Sequence, residues 1–192
     1  GKKVFIQGGA GGVGCFSIQL FKNLGCEIAT TCSKKNIELV QSLGANQVID
    51  YNKDNFEDVL HNFDIAYDLL GDHVSHNSID KCCKILSQSP DSHYITLTHP
   101  LVNTLDSKGL IMGVPHALYL RQVQKNKYRP INIHWSIYRP SLSGLEQLTQ
   151  LVQEETIKPV IDSVYAIEDL QLAHQKIATG HVSGKVVIDH KV

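Results

Sequence analysis

Seven residues, Gly8-Gly9-Ala10-Gly11-Gly12-Val13-Gly14, constrain this chain more than any others. They follow a short β-prone run, Lys3 to Gln7. They precede a segment in which Val13, Phe16, Ile18, Leu20, Phe21 and Leu24 recur at helical spacing, closed by Gly25. A G-x-G-x-x-G turn between a strand and a helix is where a backbone can approach a pyrophosphate. The first glycine permits a tight turn, the second leaves room for the phosphates, and the third lets the helix pack on the strand. The helix N-terminus adds unpaired N–H groups and a positive dipole end. Gly9, Ala10, Gly11, Gly12, Val13 and Gly14 are therefore candidate cofactor-binding residues.

The order of elements supports that reading. Strands are expected over 27–32, 47–50, 64–70, 94–97 and 131–138. Helices are expected over 35–43, somewhere within 73–86, and over 114–127. Such alternation implies βαβ units and a parallel sheet covered on both faces. The fold class expected is α/β, a Rossmann-type doubly wound parallel sheet over residues 1–140. After Pro140 the pattern changes. An amphipathic helix over 142–155, a strand over 160–165, a helix over 168–178 and a last strand over 185–189 extend no doubly wound sheet. They read as parts of something else.

The end of the second strand bears on which dinucleotide is bound. A carboxylate there would hold the ribose 2′-hydroxyl of NAD. This chain has Cys32-Ser33-Lys34-Lys35 instead, and the first acid is Glu38. A hydroxyl and two ammonium groups suit a 2′-phosphate, so the cofactor expected is NADPH, with Ser33, Lys34 and Lys35 as its ligands.

Composition excludes several alternatives. With 18 Lys+Arg against 19 Asp+Glu, nothing points to nucleic acid or an anionic membrane as partner. No apolar run approaches the ~20 residues of a membrane span. The five cysteines form no disulfide framework, so free thiols and a cytoplasmic location are expected. Among the ten histidines, His73-x-x-His76 could share a helical face with Asp72 and Asp80 nearby, but zinc needs three or four convergent ligands and no metal site is expected. Cys82-Cys83 and Trp135 read as packing residues, and no G-x-S-x-G elbow supports a hydrolase. Met112 is the sole methionine, so Gly1 is expected to lie inside a longer protein.

GGAGGVGCFSIQLFKNLG followed by TTCSKKNIELVQSLGANQVIDY resembles the cofactor domain of the medium-chain dehydrogenase/reductase superfamily, in its zinc-independent, zeta-crystallin-like quinone oxidoreductase branch. The resemblance continues through FDIAYDLLGD and HYITLTHP into IKPVIDSVYAIEDLQLAHQKIATGHVSGKVVI. It implies hydride transfer from NADPH to a quinone or α,β-unsaturated carbonyl. It also implies that residues 141–192 belong to a catalytic domain of which this chain holds only part, and a homodimer through strand 131–138. By the same resemblance Tyr51 lies beside the adenosine phosphate, and Leu97, Thr98, Ser136, Ile137 and Tyr138 surround the nicotinamide. His99-Pro100 departs from the family pattern. No general acid is assigned. A non-catalytic NADPH-binding sensor module and a zinc alcohol dehydrogenase fragment are the alternative readings.

Overall fold

A computed structural model of the chain describes residues 1–72 and 74–190, with the backbone alone described for Val102 and Asn103. Six strands form one sheet: β1 (Lys3–Gln7), β2 (Glu27–Cys32), β3 (Gln47–Asp50), β4 (Ile65–Asp68), β5 (His93–Thr96) and β6 (Asn132–Trp135). Their order is β3-β2-β1-β4-β5-β6 and every neighbouring pair is parallel. This is the doubly wound arrangement expected. The chain direction across the sheet reverses beside β1, which leaves a crevice at the carboxyl ends of β1 and β4.

Both faces of β1 are buried, which is why KVFIQ is an almost continuous apolar run rather than an alternating one. Val4 and Ile6 pack with Ile18 of α1 (Gly14–Asn23) and Val40 of α2 (Ile37–Leu43). Phe5 faces the other way. It stacks on Phe56 of α3 (Phe56–Val59) with ring centroids 4.5 Å apart, above Cys82 and Ile85 of α4 (Ser78–Ile85). The four-residue α3 was not expected, because one helical turn is too short to show a period.

Two expected elements change length. The helix expected from residue 114 begins earlier, as α5 (Leu101–Lys127), and bends at Gly109 (φ 66°, ψ 178°). The strand expected over 131–138 stops at Trp135, because its partner β5 ends at Thr96; the Ser136 N–H to Thr96 carbonyl bond at 2.9 Å follows the last paired residues. Beyond Pro140 lie α6 (Leu142–Gln153), β7 (Ile161–Ala166), α7 (Leu170–Ala178) and β8 (Lys185–Asp189). The two strands pair with each other, in parallel, as a separate sheet. No residue of α6 is buried, and Leu142 and Leu145 are 74% and 62% exposed.

Of the candidate histidine pair, only His76 is described, and it lies on no helix. His76 precedes α4 and is exposed, and His73 lies outside the described residues.

Candidate nucleotide-binding site

The turn from β1 into α1 is built by contacts that each forbid a side chain. The left-handed residue is Gly8 (φ +87°), one position before the motif's first glycine. Gly8 and Gly9 donate to the Oγ1 and carbonyl oxygen of Thr31, both at 3.0 Å. A Cβ on Gly9 would collide with Thr30 Oγ1, and one on Gly14 with the Gly8 carbonyl and the Gly9 backbone. At Gly11 a Cβ would meet only the Gly8 carbonyl, at 3.5 Å. The first and third motif glycines are thus required by packing, while the second faces open space.

That space is a cavity of about 480 Å³ lined by Gly8, Ala10, Gly11, Ser33, Lys35 and Tyr51. Of the expected ligands, Ala10, Gly11, Ser33, Lys35 and Tyr51 come together here. Gly9, Gly12, Val13, Gly14 and Lys34 belong to the same two turns without lining the cavity. Leu97 and Thr98 follow β5, where Thr98 Oγ1 occupies the space a side chain on Gly71 would need. Ser136, Ile137 and Tyr138 follow β6 and are exposed, Tyr138 by 87%. All five sit at the carboxyl edge of the sheet, away from the cavity lining. His99, the departure from the family pattern, stacks on Trp135 with centroids 5.2 Å apart and planes 3° from parallel.

The start of α1 favours an anion. Val13, the residue before α1, provides no side-chain cap, and the first turn of α1 holds no acid. The leading N–H groups and the positive dipole end are therefore not neutralised locally. Two lysines, Lys35 and Lys81, and two acids, Asp54 and Glu57, line the cavity. Lys81 pairs with Glu57 at 3.0 Å. Among the described residues Lys35 donates to a neutral acceptor, the His181 carbonyl, at 3.1 Å, and has no ion-pair partner. Cys32 is buried, and burial, then the neighbouring Asp50, pushes its thiol up to about 11. No negative charge therefore arises from Cys32 at neutral pH.

Two parts of the site were not legible from sequence spacing. Gly180, His181 and Val182 close one side of the cavity, and no local signal marks residues so far along the chain. The second is a buried network behind the cavity. Asp68, fully buried at the end of β4, accepts from the Leu70 and Gly71 N–H groups at 3.0 and 2.8 Å, from the Ser78 hydroxyl at 2.7 Å and from the Tyr94 hydroxyl at 2.8 Å. Four donors satisfy a carboxylate that, among the described residues, has no ion-pair partner. They fix the β4–α4 turn, whose Leu70 packs against Gly8. An acid directly after a buried strand run, as in DIAYD, was the available signal.

Fold and cradle together define a Rossmann-type dinucleotide-binding domain. The sequence profile of the zinc-binding dehydrogenases matches residues 43–188, and the chain belongs to that family. It is a cofactor domain of the medium-chain dehydrogenase/reductase superfamily. It is 32% identical to the zebrafish (Danio rerio) NAD(P)H oxidoreductase RTN4IP1, mitochondrial, over 97% of this chain and 49% of that protein. It is 31% identical to the trans-enoyl reductase pgmF of Aspergillus terreus, over 98% of this chain and 51% of that protein. The quinone oxidoreductase of Coxiella burnetii superposes with a TM-score of 0.77 at 28% identity, covering 98% of this chain and 52% of that one. The chain thus spans about half the length of the relatives it matches.

These comparisons correct one expectation. Relatives from zebrafish, fly, mouse and human are mitochondrial proteins by name, which overturns the cytoplasmic location. Free cysteines report a reducing environment and not a compartment. The family's name also raises zinc. Among the described residues no group of three or more His, Cys, Asp or Glu is placed to hold a metal ion. The donor set does not fit zinc, and no chemistry here is assigned to it.

Proposed function

We propose that this chain is the NADPH-binding part of an oxidoreductase that reduces a quinone or an α,β-unsaturated carbonyl. The observation that carries the reading is one cavity lined both by Gly8, Ala10 and Gly11 of the glycine loop and by Ser33 and Lys35 of the turn after β2. The cradle fits the cofactor: Gly11 leaves open the path a pyrophosphate would take, and Ser33 and Lys35 supply a hydroxyl and a cation for a 2′-phosphate. Tyr51 is placed for the adenosine side. Leu97, Thr98, Ser136, Ile137 and Tyr138 are assigned to the nicotinamide side. NADPH, when bound, supplies the hydride. The chain's own residues bind and orient it.

The acceptor class rests on the names of relatives, a quinone oxidoreductase and a trans-enoyl reductase. Residues 141–192, with α6 exposed on every side, are assigned to a second, acceptor-binding domain shared with sequence outside this chain. The edge strand β6 and the residues after it are assigned to a homodimer interface, since NIHW carries neither Lys, Glu nor Pro to block edge pairing. Light scattering at high concentration tests the dimer. The function is tested by titrating NADPH into the chain by fluorescence and by following NADPH absorbance with a panel of quinones and enones on the full-length parent. Absence of NADPH binding sinks the proposal.

A further inference from the structure

The ring of His99 is held on two sides. Its Nδ1 accepts from the N–H of Leu101, the first residue of α5, at 3.4 Å. Its face lies parallel to the indole of Trp135, with centroids 5.2 Å apart. Trp135 is itself anchored, its Nε1–H donating to Gln124 Oε1 of α5 at 2.9 Å. An Nδ1 that accepts from a backbone N–H leaves the proton of a neutral imidazole on Nε2. Among the described residues that Nε2 has no hydrogen-bond partner. The half-buried ring therefore presents an oriented, unused N–H donor. Its place is the carboxyl edge of the sheet, one residue past Thr98, which is assigned above to the nicotinamide side. Contacts link this edge to the cavity: Leu70 lines the cavity, and a side chain on the next residue, Gly71, would meet Thr98 Oγ1.

We propose that His99 is a catalytic residue of the full-length oxidoreductase, its neutral Nε2–H donating to the carbonyl oxygen of a conjugated acceptor. The proposal rests on the function proposed above and supplies a partner for the acceptor's oxygen, which neither the glycine loop nor the turn after β2 provides. When hydride adds to the β-carbon of an enone, the C–H bond at the nicotinamide breaks and a C–H bond forms at the acceptor. The double-bond electron pair moves onto the carbonyl oxygen. A donor already in position stabilises that charge as it grows. A neutral imidazole pinned at a helix N-terminus suits the task, because it polarises a carbonyl without giving up its proton. His99 keeps its proton, the two electrons of the hydride stay on the acceptor, and the enolate takes a proton from water. His99 is also where the chain departs from the family pattern, so this donor belongs to the chain and not to its motifs.

The test uses His99→Phe, which keeps a ring against Trp135 and removes the donor, and His99→Gln, which restores an N–H. Nitrogen NMR of labelled histidine in the wild-type chain should place the His99 proton on Nε2. NADPH titrated into the chain should bind wild type and both variants equally. In the full-length parent, kcat with an enone should fall about a hundredfold in His99→Phe with KM for NADPH unchanged. His99→Gln should recover part of that loss. A proton found on Nδ1 overturns the proposal without any variant. So does an unchanged kcat in His99→Phe, and so does weakened NADPH binding in it, which would make the ring a packing element of the cofactor site. A wild-type parent that reduces neither enone nor quinone fails the proposed function itself, and this assignment with it.

Discussion

The Gly184 N–H donates to the Ala10 carbonyl at 2.8 Å, so the start of the last strand completes the hydrogen bonding of the first β–α turn. Neighbouring contacts repeat the pattern. Ser183 Oγ donates to Asn36 Oδ1 at 2.8 Å, and Gln19 exchanges bonds with the backbone of Lys158 at 3.0 and 2.8 Å. The segment after Pro140 is docked on the nucleotide cradle even though its own sheet is separate. Gly184 is the sensitive point, with φ at +89° and the Val160 carbonyl where a Cβ would stand. Gly184→Val should cost about 1–3 kcal/mol of stability and weaken NADPH binding, read by thermal melting and titration.

The three motif glycines should separate by experiment. Gly11 faces the cavity and meets only one atom at ordinary contact distance, so Gly11→Val should fold and melt near the wild-type temperature yet bind no dinucleotide. Gly14 is pressed against the Gly8–Gly9 backbone, so Gly14→Val should lose the fold before binding can be measured. A folded Gly11→Val chain with unchanged affinity would remove the glycine loop from the site.

What the sequence made legible was whatever had a local period or a short motif. The alternation of β1 through β5 with their helices, and the cluster of Ala10, Gly11, Ser33, Lys35 and Tyr51, follow from spacing, strand ends and the family resemblance. Three features did not follow. The positive φ at Gly8 belongs to a residue outside the motif, in a run of glycines that look alike in sequence. The bend at Gly109 lies in the part of α5 before residue 114, which no expected element covered. The closure of the cavity by Gly180, His181 and Val182 is a contact between distant parts of the chain, and no window of neighbouring residues encodes it.

Cofactor preference gives a second test. NADPH should bind at least about tenfold more tightly than NADH, a difference of about 1.4 kcal/mol, because Ser33 and Lys35 line the cavity and the residues directly after the second strand, Ser33 to Lys35, include no acid. The position to reverse this is Ser33. It lines the cavity, whereas Cys32 is buried beside Asp50 and an Asp placed there would be buried next to a like charge. Ser33→Asp should lower NADPH affinity and leave NADH equal or better. Equal affinities in the wild type would reject the assignment.

The cysteines provide a pH test. Burial pushes the thiols of Cys15 and Cys32 up to about 11 and that of Cys83 up to about 12, from 9.0. Their neutral forms are favoured by the fold, so the linked stability is complete below pH 9 and is lost as pH rises through 11 to 12. Thiol-reactive reagents at pH 7.5 should label these residues slowly in the native chain and fast in urea. Rapid native labelling of Cys32 would show an accessible thiolate at the cavity wall.

The last expectation concerns turnover. The 192-residue chain should bind NADPH and still fail to accelerate reduction of any acceptor. The residues proposed for the adenosine and pyrophosphate, Gly11, Ser33, Lys35 and Tyr51, all lie within it and line one cavity. The residues proposed for the nicotinamide side are different: Ile137 and Tyr138 are 56% and 87% exposed. Holding an acceptor in place can contribute ~7–11 kcal/mol of barrier lowering, and that advantage requires a second wall. Supplying the remaining half, as in the relatives that this chain spans by about half, should restore turnover with little gain in NADPH affinity. Steady oxidation of NADPH by the isolated chain with a simple quinone, above the uncatalysed rate, would mean that these exposed residues already form a working site.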